Sequence, residues 1–156
     1  MSIVLFAIFL AVFLERAFYY QEYAEKTAME MTVANMRTGL RYKIADLILN
    51  NRVSEIPTLA AGNPVNWLAE PPQNYLGEFD SPPGDGTAGE WYYDKRNREL
   101  VYTVNNRRHF VPHSGRDFTI RYRAARIPGA ASTLSRDARA QGWVALIQPQ
   151  GYTWLQ

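Results

Sequence analysis

No proline occurs between Phe13 and Asn51, and that absence constrains the chain more than any motif in it. Proline in a helix interior costs about 3 kcal/mol, so so long a run without one predicts an unbroken helix. Upstream, Ile3 to Leu14 carry no charged or polar group, and Glu15 and Arg16 then end the apolar run at once. Continuous from Ile3 to Asn50, the helix is about 72 Å long. The ~100 residues that follow make one domain of ordinary size and cannot cover such a rod. Part of it must meet lipid or other subunits.

The apolar end has three readings. About 14 apolar residues span roughly 21 Å, short of the ~30 Å core of a bilayer. A cleaved signal peptide would carry a basic start and a small-x-small cleavage site, and neither stands out here. A core helix would have to thread a wholly apolar element into a small domain. A membrane anchor extended by aromatics is the expectation, because Phe18, Tyr19, Tyr20 and Tyr23 follow directly and tyrosines gather at membrane interfaces. Ile3, Leu5, Phe6, Phe9, Leu10, Phe13 and Leu14 are the residues expected to form the anchor and pack with neighbouring helices. Glu15 and Arg16 fall near its end, where snorkelling relieves their burial.

Further on, Met29, Val33, Met36, Leu40, Ile44 and Leu47 recur at the spacing of one helix face. This stripe predicts packing on a core. The opposite face carries Glu22, Glu25, Glu30, Arg37, Arg41 and Lys43. The mostly polar stretch from Glu15 to Ala28 is expected to be free of contacts within the domain, so Glu15, Arg16, Glu22 and Glu25 are the candidate subunit-contact residues. Asn50 and Asn51 are expected to end the helix, since asparagine tolerates the left-handed cap. The organisation is thus residues 1–20 as anchor, 21–52 as amphipathic helix, and 53–156 as loop plus sheet domain.

Prolines and glycines crowd residues 57–90, which predicts loop with regular structure only near Val65–Ala69. Beyond it, "EWYYD", "ELVYTVNN", "DFTIRYRAARI" and "GWVALIQ" read as strands. Alternation in the third places Phe118, Ile120 and Tyr122 on one face and Thr119, Arg121 and Arg123 on the other. "GYTWLQ" either pairs or hangs as a tail, and residues 128–141 read as a loop or short exposed helix. The expected fold class is α+β: a long N-terminal helix packed on an antiparallel sheet of about four strands.

Chemistry is sparse. The chain has no cysteine, so it forms no disulfide. His109 and His113 are split by Pro112 and cannot share a helix face as a metal pair; they are expected as solvated loop residues. No phosphate loop, nucleophile elbow or catalytic triad is visible, so no enzyme activity, metal or cofactor is expected. A net charge of +2 is too small to argue for nucleic acid.

The plug "IVLFAIFLAVFL", the helix "YYQEYAEKTAMEMTVANMRTGL", the connection "NPVNWLAEPPQNYLGEF" and the hairpin "GEWYYDKRNRELVYTVNN" together resemble the type IV pilins and type II secretion pseudopilins. Minor-pilin-like proteins of mannose-sensitive-haemagglutinin-type pili are among them. The resemblance runs as far as Arg123. It implies a structural or assembly subunit, anchored in the bacterial inner membrane with a periplasmic domain or built into a surface filament, serving protein transport or cell adhesion. Its partners would be other pilin or pseudopilin subunits, assembly proteins and the membrane. The family's basic leader, its glycine before the cleavage site and its glutamate at the fifth mature position are not in this sequence. Either a leader lies upstream of Met1, or the chain is an uncleaved assembly factor. Some pseudopilins bind calcium in a loop comparable to Asp80, Asp85, Glu90 and Asp94; the spacing here does not match an EF-hand, and a plain loop is expected.

A different class of function stays open beside this one. Arg107, Arg108, Arg116, Arg121, Arg123 and Arg126 make the C-terminal half basic. A membrane-tethered binding module would use that sheet face for an acidic ligand or DNA, with Tyr102 and Tyr122 as stacking residues.

Overall fold

The computed structural model describes residues 2–84, 87–113, 117–127 and 143–155. Helix α1 runs unbroken over Ser2–Leu49. It ends in a Schellman motif: the Asn51 N–H donates to the Ile48 carbonyl, the Arg52 N–H to that of Leu47, and Asn51 takes the left-handed conformation at φ 56°. Two 3-10 helices follow, η1 (Val53–Ala61) and η2 (Pro64–Trp67), the second capped by Asn63, whose side chain accepts from the Val65 N–H.

Five strands form the main sheet, in the order β1-β2-β3-β5-β6. They are β1 (Tyr75–Phe79), β2 (Trp91–Asp94), β3 (Glu99–Thr103), β5 (Thr119–Ile127) and β6 (Trp143–Ile147). Between β3 and β5, β4 (Phe110–Pro112) leaves the main sheet and pairs with β7 (Tyr152–Trp154) as a separate two-stranded ribbon. The chain is α+β, and a long apolar N-terminal helix followed by a sheet is a pilin-like arrangement.

Two sequence expectations need correction. The main sheet is mixed, because β1 runs parallel to β2. Residues 57–90 hold both β1 and most of the nine-residue η1, which tolerates Pro57 inside it. Gly77, at φ 116°, lies within the register break between Tyr75 and Glu78, a backbone conformation that favours glycine over any residue with a Cβ. Residues 128–141, read as a loop or short helix, lie outside the described residues.

Helix and sheet meet through one core. Met29, Val33, Met36, Leu40, Ile44 and Leu47 are all buried, together with Trp91, Tyr93, Leu100, Tyr102, Ile120, Tyr122, Val144 and Leu146 on the facing side of the sheet. Gly39 explains itself here. A Cβ at this position would collide with the Trp67 carbonyl, so glycine, poor as it is in a helix, is what lets η2 cross close to α1.

Candidate functional site

The helix presents two different surfaces along its length. From Ile3 to Tyr23 its large apolar side chains lie exposed, Ile3 at 84% and Phe9 at 70%. An 18-residue window has mean hydropathy 1.9 and none of it is buried. By length and composition this helix is able to cross a membrane. Anchor residues Ile3, Leu5, Phe6, Phe9, Leu10, Phe13 and Leu14 all fall on this bare stretch, as do Glu15 and Arg16.

Glu22 and Glu25 do not. They are the first turn of helix that the domain holds. Glu25 accepts four hydrogen bonds: from the Tyr102 hydroxyl at 3.0 Å, from the N–H groups of Asn105 and Asn106 at 2.7 and 2.8 Å, and from the Asn106 side-chain amide at 2.6 Å. Glu22, only 1% exposed, accepts from the His109 N–H at 2.8 Å, from His109 Nδ1 at 2.7 Å and from Trp154 Nε1 at 2.9 Å. Lys26, one turn on, donates to the Trp154 carbonyl at 2.9 Å. The expectation that Glu15 to Ala28 is free of contacts within the domain is therefore overturned at Glu22 and Glu25. A carboxylate can lie on a dry surface when donors from elsewhere in the chain satisfy it.

Burial by itself pushes the Glu22 carboxyl up. The hydrogen bonds from His109 and Trp154, with the nearby imidazole, outweigh that and hold it below the ordinary glutamate range. The two carboxylates thus clasp the loop after β3 and the β4–β7 ribbon to one level of the helix. Periodicity could have pointed to them: Glu22, Glu25, Met29, Val33 and Met36 step by 3, 4, 4 and 3, which continues the core stripe toward the N-terminus.

Both histidines are exposed and lie outside the strands, as expected of loop residues, and each has a partner. His109 is the partner of Glu22, and His113 Nε2 lies 2.8 Å from the Thr153 hydroxyl across the ribbon. Two of the acidic loop residues, Asp80 and Asp94, are also occupied. Asp80 pairs with Lys95 at 3.0 Å. Asp94 accepts from the backbone and side chain of Asn97 and so closes the β2–β3 turn. Asp85 lies outside the described residues, among which no group of three or more histidine, aspartate or glutamate side chains is placed to hold a metal ion.

The basic sheet face also reads differently in three dimensions. Tyr102 and Tyr122 are buried against the helix, the latter with its hydroxyl toward the Met29 sulfur, so neither is available to stack on a base. Arg121 lies 3.3 Å from Glu99, and Arg107 covers the Phe118 ring at 4.8 Å. A groove of ≈ 580 Å³ on this outer face is lined by Tyr92, Arg107, Asp117, Thr119 and Arg121. Its charges are mixed. No protein-family model matches the sequence, and no curated protein or solved structure matches it either.

Proposed function

We propose that the chain is a pilin-like structural or assembly subunit of a type IV pilus or type II secretion system, held in the bacterial inner membrane by residues 1–20. The observation that carries this reading is the division of one unbroken helix: its apolar end is bare, while the remainder lies on the sheet. Exposed apolar surface of this extent marks a membrane or protein contact. In the reading, lipid covers the bare end before assembly and neighbouring subunits cover it afterwards. Glu15 and Arg16 remain as the polar contact residues at its upper edge. The work is assembly by helix packing, with no catalytic turnover.

Since the chain has no cysteine, Phe13→Cys gives a unique attachment point for a photo-crosslinker. In native membranes, irradiation is expected to yield adducts larger than the monomer that contain further copies of the chain or other pilin-like subunits. The same label at Asn97, on the distant β2–β3 turn, serves as the reference. Adducts at Phe13 with lipid alone would remove the subunit reading and leave only the anchor.

A further inference from the structure

Arg108 reaches from the domain to the lower part of the helix. Its guanidinium sits over the Phe18 ring, 5.3 Å from the centroid. The neighbouring His109 ring meets Tyr19 edge-on at 6.0 Å and is tied to Glu22. Loop 105–109 is thus fixed at the level of Phe18 to Glu25, and the unbroken helix leaves no hinge between them.

That level is the aromatic belt of the helix. Phe18, Tyr19, Tyr20 and Tyr23 are exposed there, and such rings settle at the headgroup layer. Five residues of helix rise about 7.5 Å, comparable with the roughly 5–8 Å of headgroup region on each side of a bilayer. Both acidic groups at this level that belong to the packed part of the helix, Glu22 and Glu25, are spent on internal donors. Arg108 is exposed, and among the described residues no carboxylate forms an ion pair with it. Glu15, also exposed, lies three residues before Phe18 and so on the same side of the helix; a cation above it eases a carboxylate near the acyl boundary.

We propose that loop 105–109 is a lipid-binding surface, and that Arg108 pairs with the phosphates of anionic phospholipids as the domain seats directly in the headgroup layer. This rests on the anchor reading. The helix sets the depth, the Glu22 and Glu25 clasp transmits it to the loop, and Arg108 supplies the charge.

The test uses the full chain in phosphatidylcholine vesicles with a single fluorophore at Gln21→Cys, an exposed position one turn from Phe18. Trace phosphatidylglycerol or phosphatidylcholine carrying a headgroup quencher is added in parallel. One arginine near an anionic surface is expected to enrich the anionic lipid about fivefold, so labelled phosphatidylglycerol should quench more strongly. Arg108→Gln should bring the two lipids close to equality, and Arg108→Lys should keep most of the preference. Equal quenching by both lipids in the parent, or a preference unchanged by Arg108→Gln, would overturn the proposal. A second label at Phe9→Cys separates it from the anchor reading. If acrylamide quenches Phe9 as fully as a label at Asn97, the anchor fails and this inference with it. If Phe9 is shielded and the lipid preference is missing, this inference alone fails.

Discussion

Replacing Glu22 and Glu25 with lysine puts two ammonium groups where seven donors now converge. Breaking a buried charged contact costs about 3–5 kcal/mol, so urea unfolding of the double variant is expected to show a large loss of stability. Glu15→Lys, on the bare helix, should leave the midpoint unchanged. Comparable midpoints for the double variant and the parent would mean that the clasp does not form. The Glu22 carboxyl also sets an acid limit. Its folded-state pKa lies below its unfolded one, so its contribution is present above the unfolded value, near 4.3, and is lost as pH falls through the folded value. Unfolding followed from pH 7 to pH 3 should therefore lose less stability in Glu22→Gln than in the parent, because the variant has no proton to take up. Asp94 shifts the same way, burial raising its pKa and the Asn97 donors lowering it further, so part of the acid loss remains in the variant. These roles were hard to read from sequence for one physical reason. The partners of Glu22 stand 87 and 132 residues away, and the spacing that puts Glu22 and Glu25 on the buried face does not say which distant donors meet them there.

At the scale of elements, the stripe from Met29 to Leu47 is written in the spacing of the residues, because a helix face repeats every 3.6 residues whatever it packs on. Its consequence is measurable. Leu40→Asp or Ile44→Asp places an unpaired carboxylate in the core beside Val144 and Leu146 and should destabilise by several kcal/mol. Lys43→Asp, on the exposed side, should change stability by less than about 0.5 kcal/mol. Equal melting temperatures across the three would place this part of the helix off the core. The helix end was legible too, since tandem asparagines suit the left-handed cap. The β1 strand was not. It lies among prolines and glycines that read as turns, and its pairing with β2 is parallel, so no tight hairpin announces it. β4 is three residues long and ends in Pro112, too short for an alternation to show. Its partner β7 lies near the other end of the chain.

For the whole molecule, the clasp redraws the boundary between what the domain holds and what it leaves bare. The domain keeps the helix from Glu22 onward, with Arg108 reaching down to Phe18. Below that, the large apolar side chains of the helix are exposed. Under the proposed function, subunit contacts fall on the apolar end with Glu15 and Arg16, and the Glu22–Glu25 turn is the joint that fixes the domain's orientation on the rod. A chain lacking residues 1–14 retains every one of these contacts, so it should fold. Fractionation of cells carrying the full and shortened chains, with a carbonate wash of the membranes, tests this account most directly. The full chain is expected in the washed membrane pellet and the shortened chain in the soluble fraction as a folded monomer. Recovery of the full chain as a soluble monomer would contradict it.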